Sequence, residues 1–144
     1  MSIEPPSTLR IATGELAKLR AHAEEGYPHE VVGLLAGDRA GNVVTRVHPL
    51  LNERADSAHN RYKVSGLTVM RAEMALNGEG LEVVGYYHSH PDHPADYSEY
   101  DRDHALPNMS YVIAAIHEGA LADLKSWRLT EDRSVMTPET IEES

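Results

Sequence analysis

Apolar positions in this chain come in short, dense blocks, and the spacing inside each block predicts an element. From Ser7 to Glu25, Leu9 and Ile11 lead into Leu16, Leu19 and Ala23 at helical spacing, which Gly26 and Pro28 end. Glu30 to Gly37 is nearly all apolar with paired valines, the pattern of a strand buried on both faces. Asp38 to Asn42 is a polar, glycine-containing turn, and Val43 to Val47 resumes as a strand, so the two predict a hairpin. Leu51 to Tyr62 is polar and predicts a loop. Gly66 to Asn77 places Leu67, Met70, Met74 and Ala75 at i, i+3, i+7 and i+8, an amphipathic helix closed near Gly78 and Gly80. Glu82 to His90 is a Val- and Tyr-rich strand stopped by Pro91, and a short helix runs from Ser98 towards Leu106. Tyr111 to His117 and Leu124 to Leu129 predict two more strands. Such irregular alternation favours a mixed α/β sandwich around one sheet over a regular doubly wound fold. Residues 1–6 and the acidic tail, 138–144, are expected to be loose.

Composition narrows the chemistry. A chain of 144 residues suits one domain, 1–144, able to hide roughly 68–70% of its unfolded surface. No apolar block approaches the ~20 residues of a membrane span, and Met1 to Pro6 lacks the basic, apolar opening of a secretory signal. With no cysteine, disulfides, thiol nucleophiles and thiolate zinc sites are excluded together. A net charge of −10, from 13 basic against 23 acidic residues, disfavours nucleic acid as a partner. The expectation is a soluble cytoplasmic domain of open oligomeric state, whose chemistry would rest on hydroxyl, carboxylate, imidazole or a bound metal.

That chemistry concentrates between His88 and Asp101. His88 and His90 stand two apart at a strand end, so both imidazoles project from one face. Asp101, in the first turn of the following helix, supplies a plausible third ligand, and three protein ligands with one open position is the catalytic zinc pattern. A plainer reading is available for each piece. Ser98-x-x-Asp101 is nearly a capping box, and a lone His-x-His is usually an ordinary strand pair. The whole pattern, His-x-His, seven residues, Ser, two residues, Asp, has a chance occurrence on the order of 10⁻³.

Hydrolysis at such a site also wants a carboxylate that does not bind the metal. Glu30, at the head of a buried strand, is the candidate; a plain strand-edge residue in water is the alternative. His29-Glu30-Val31-Val32-Gly33 is not a zincin helix, because Gly33 stands where the second histidine belongs, and the stretch from His117 to Leu121 fails likewise. His93, His104, Asp103 and the tyrosines 86, 87, 97 and 100 flank the motif, with packing or exposure as their default roles. Trp127 is expected in the core.

Glu30 in Pro-x-Glu-x-x-Gly-Leu-Leu-x-Gly, then His88-Ser89-His90-Pro91, Ser98 and Asp101, resembles the JAMM (MPN+/Mov34) metallopeptidases along nearly the whole chain. His-Ser-His-Pro-Asp-His-Pro and the late Ser126-Trp127-Arg128-Leu129 look most like the short, free-standing prokaryotic branch. The resemblance implies an MPN (cytidine-deaminase-like) fold and one zinc held by His88, His90 and Asp101. It implies Glu30 as general base and Ser98 as oxyanion donor. It also implies cleavage after the C-terminal Gly-Gly of a ubiquitin-like or sulfur-carrier protein, the alternative being a catalytically silent scaffold of the same fold. Two departures stand out: Asp96-Tyr97 replaces a common Arg-Pro, and Val32 a frequent Cys.

Overall fold

The computed structural model describes residues 7–50 and 65–144. Within them the order is β1 (Thr8–Ile11), α1 (Thr13–Gly26), β2 (Val32–Asp38), β3 (Val43–Leu50), α2 (Gly66–Gly78), β4 (Glu82–Pro91), α3 (Glu99–His104), β5 (Ser110–His117), β6 (Ala120–Leu129) and β7 (Met136–Glu143). The strands make one mixed sheet, β1-β3-β2-β4-β5-β6-β7, closed because β1 pairs in parallel with both β3 and β7. β4 and β5 are also parallel, with α3 in the crossover between them. The expected mixed α/β architecture around one sheet is what forms. Among the described residues no helix is long and apolar enough to cross a membrane.

Two apolar layers hold the sheet. Leu19 and Ala23 of α1 pack with Leu35, Val47, Tyr87, Val112 and Ala114 on one face. On the other, Ala72 and Leu76 of α2 cover Val32, Leu34, Ala36 and Leu50. The strands between these layers are buried on both sides, which is why β2 carries almost no polar residue. Gly85 lets β4 meet the start of β5: a Cβ there would collide with the Ser110 carbonyl.

Three expectations need correction. Ser7–Glu25 is not one helix: Leu9 and Ile11 are fully buried members of strand β1, alternating with Thr8 and Arg10, and α1 begins only at Thr13. Two apolar residues are too few to show a period of two against the helical spacing downstream. The tail is not loose either. Met136–Glu143 is a strand paired with β6 and β1, with Met136 and Glu139 turned inward. Finally, α2 forms where expected but buries a different stripe. Ala72 and Leu76, with Val69 beside them, face the sheet, whereas Leu67, Met70 and Met74 are 51%, 50% and 64% exposed. Both stripes satisfy the helical period, and the small Ala72 allows a closer approach to the sheet than the methionines would. The Leu51–Tyr62 loop and residues 1–6 lie outside the described residues.

Candidate functional site

Strand pairing assembles the site. β2 and β4 run antiparallel with Val32 opposite His88, and continuing that register sets Glu30 opposite His90. The two imidazoles thus share a face with Glu30, with Ile113 and Ala115 of β5, and with Lys125 of β6 beyond Ile113. The third group arrives through a helix cap. Ser98 Oγ accepts from the Asp101 N–H at 3.1 Å, and Asp101 Oδ2 accepts from the Ser98 N–H at 2.9 Å, a complete capping box. The cap fixes the Asp101 carboxylate over the end of β4, where it is buried.

Asp101 Oδ1 lies 3.3 Å from His88 Nε2, and Oδ2 lies 3.8 Å from His90 Nε2. The two Nε2 atoms are 3.1 Å apart. Ligand atoms around a tetrahedral ion at bond lengths of 2.0–2.1 Å stand about 3.3 Å from one another, so this spacing and donor set suit a tetrahedrally held metal ion. His88, His90 and Asp101 can therefore hold a metal ion, their ligand atoms lying within 4.8 Å of one another. His90 Nδ1 is 2.8 Å from the Pro94 carbonyl oxygen, which can only accept, so Nδ1 carries the proton and Nε2 presents its lone pair.

Charge state follows the same geometry. Burial pushes His90 below its ordinary value, and the neighbouring His88 adds to this, keeping the imidazole neutral and ready to ligate. For Asp101, burial acts to raise the carboxyl, but the His88 hydrogen bond and charge and the Ser98 N–H outweigh it and hold it at about 2. At neutral pH the Asp101 carboxyl is thus ionised beside a neutral His90 imidazole.

Glu30, His88, His90, Ser98 and Asp101 all line one cleft of about 470 Å³. Glu30 is half-buried there, beside the His88, His90 and Asp101 group and not part of it. His93, Pro94, Asp96, Tyr97 and Tyr100 complete the walls, so His93 does border the site. His104 turns to the Tyr100 carbonyl and stacks on that ring, and Asp103 pairs with Arg102.

Two residues escaped sequence reasoning. Ser89, fully buried between the histidines, accepts from the Val31 N–H at 2.9 Å and donates its own N–H to the Val31 carbonyl, pinning the backbone next to Glu30. A polar residue on a buried face was the available signal. Trp127 is half-buried, not fully in the core; its Nε1–H donates to the Ala95 carbonyl at 3.0 Å and its ring meets Tyr97 edge-on.

A family model described as prokaryotic homologues of the JAB domain matches residues 13–130. A desampylase of Haloferax volcanii is 33% identical over 114 residues, covering 76% of this chain and 81% of the relative. A protein of Thermus thermophilus named a probable TtuB-protein conjugate cleaving protease is 40% identical over 105 residues, 73% of this chain and 68% of the relative. The solution structure of a Desulfitobacterium hafniense protein superposes with a TM-score of 0.79 at 27% identity, covering 94% of this chain and 92% of that one.

Proposed function

This chain belongs to the family of prokaryotic JAB-domain homologues, JAMM-type metallopeptidases, and from that premise we propose that it cleaves after the C-terminal Gly-Gly of a ubiquitin-like or sulfur-carrier protein. The observation that carries this reading is the convergence of His88, His90 and Asp101 with Glu30 and Ser98 in one cleft. The relatives named as a desampylase and a TtuB-conjugate protease support the substrate class.

One zinc per chain, held by His88, His90 and Asp101, would polarise the scissile carbonyl and lower the pKa of water to about 7. Glu30, opposite His90 in register, takes the proton from the attacking water and returns it to the departing amine. The Ser98 hydroxyl donates to the oxygen that becomes negative in the tetrahedral intermediate. Its lone pair already accepts from the Asp101 N–H, so the hydroxyl proton is left to point elsewhere. A Gly-Gly tail suits this cleft, because the absence of side chains lets the backbone approach His88 and His90 closely. A silent scaffold would have no use for this intact set of groups.

Intact-mass analysis of a sulfur-carrier protein bearing a short extension after its Gly-Gly tests the proposal. Cleavage after the second glycine is expected with zinc-loaded enzyme and should vanish with chelator. Glu30→Gln should hold zinc yet turn over at least ~10²-fold more slowly, since general-base catalysis contributes that much or more. Undiminished cleavage by Glu30→Gln would remove Glu30 from the mechanism, and no cleavage by zinc-loaded wild type would reject the substrate class.

A further inference from the structure

Strand β6 lies one strand beyond the β5 residues that pair with His88 and His90, yet its side chains hold the loop that lines the cleft. The Trp127 indole N–H donates to the Ala95 carbonyl at 3.0 Å, and the ring meets Tyr97 edge-on with centroids 5.0 Å apart. Lys125, two residues earlier on the same face, reaches Asp96 at 2.9 Å. Between them the Ala95 methyl, 0% exposed, sits on Ile113 and Ala115 of β5. One residue before Ala95, the Pro94 carbonyl accepts from His90 Nδ1 at 2.8 Å. Consecutive carbonyls of one loop are thus taken by His90 on β4 and by Trp127 on β6. Asp96 and Tyr97, where this chain departs from the commoner Arg-Pro, are the residues that β6 grips.

The geometry points to Trp127 as a positioning residue that sets the tautomer and ring orientation of His90 through the loop backbone that carries the consecutive Pro94 and Ala95 carbonyls. The inference rests on the reading of His88, His90 and Asp101 as metal ligands. A half-buried indole N–H must find an acceptor, and only a loop held at this height offers the Ala95 carbonyl. With the Ala95 carbonyl held, the preceding Pro94 presents its oxygen to Nδ1, and the Nε2 lone pair faces His88 and Asp101 before any ion arrives. The Lys125–Asp96 pair is exposed on both sides and contributes less. Groups that orient a ligating histidine from outside the ligand set typically govern metal affinity about 10–100-fold.

The chain has a single tryptophan, so the N–H can be deleted in two ways. Trp127→Phe keeps an aromatic ring against Tyr97. Biosynthetic replacement by benzothienylalanine keeps the full bicyclic shape and serves if Trp127→Phe does not fold. Zinc affinity by chelator competition should fall about tenfold in either protein. The urea midpoint should move little, and the His90 nitrogen resonances of the metal-free protein should shift from a single Nδ1–H form towards a mixture of tautomers. Wild-type zinc affinity with unchanged His90 resonances in a folded, N–H-deleted protein would overturn the inference. Neither readout needs peptidase activity. A wild type that binds zinc but cleaves nothing would sink the proposed reaction alone, and a wild type that takes up no zinc would overturn both.

Discussion

On the proposed mechanism Ser98 carries two duties on one hydroxyl, and substitutions can separate them. Its oxygen caps α3 and so places Asp101, while its proton is available to substrate. Ser98→Ala should cost about 1 kcal/mol of stability through the lost cap, whereas Ser98→Gly should cost only a few tenths. Both should lose on the order of 10²–10³ in kcat, the loss expected for an oxyanion donor. Equal kcat losses with unequal urea midpoints would verify the division; kcat tracking stability would reduce Ser98 to a cap. His22 offers a second residue-scale test, remote from the metal ligands. Its Nδ1 lies 2.6 Å from the buried Tyr87 hydroxyl, and burial lowers its pKa from 6.5 even though nearby Glu25 opposes the shift. The unfolded chain therefore takes up the proton first as pH falls. This stabilisation is complete above about pH 6.5 and is lost as pH drops towards the lower folded value. Urea midpoints of wild type should decline across that window more steeply than those of His22→Gln.

Elements explain why some side chains were placed correctly from spacing and others were not. The histidines follow from a strand's strict alternation, which leaves one choice of face once His88 is known to point outward from the Tyr87 layer. The helix α2 has no such constraint, since two apolar stripes compete at the same period. Leu76→Ala should therefore cost about 2–5 kcal/mol, because Leu76 is 1% exposed against Leu34 and its neighbours. Met70→Ala, on the stripe favoured by spacing, should stay within about 0.5 kcal/mol. Thermal or urea unfolding of the two variants decides between the stripes. The loop between β4 and α3 belongs to this scale as well. Its anchors lie far along the chain, at Lys125 and Trp127.

For the whole molecule, closure of the sheet is the dominant event. β7 zips between β1 and β6, joining the two ends of the chain, and Glu139 is the polar knot beneath it. Its fully buried carboxylate accepts from Ser110 and Ser126 at 2.7 Å each, from Asn42 at 2.9 Å, and from Arg128 at 3.3 Å. Glu139→Ala should leave Arg128 and three polar groups without their acceptor, a loss of about 3–5 kcal/mol. Glu139→Gln, which retains an acceptor oxygen, should lose less. A Glu139→Ala protein with wild-type unfolding would show that the ends are held by backbone pairing alone. The late Ser-Trp-Arg-Leu phrase becomes intelligible here. Alternation sends Ser126 and Arg128 to Glu139 on one face, and Lys125 and Trp127 to the loop over the metal site on the other.

What the sequence determined by itself was whatever depends on neighbours a few residues apart. The β2–β3 hairpin, the helical spacing of 66–77, the shared face of His88 and His90, and the Ser98–Asp101 cap are all local, and each was legible. The metal-capable trio of His88, His90 and Asp101 was legible too, because its spacing is demanding enough to be recognised without a fold. Tertiary structure decided everything that needs a distant partner. Leu9 and Ile11 became a strand because β3 and β7 offered edges. The charged tail became β7 because β1 and β6 left a gap of one strand's width. Glu30 was brought beside the histidines because antiparallel register carries it opposite His90, and Trp127, packed against the core, turned its indole N–H to the Ala95 carbonyl. Hydrogen-bonding groups and apolar faces announce in the sequence that they need partners, but which partner meets them is settled only when the sheet closes.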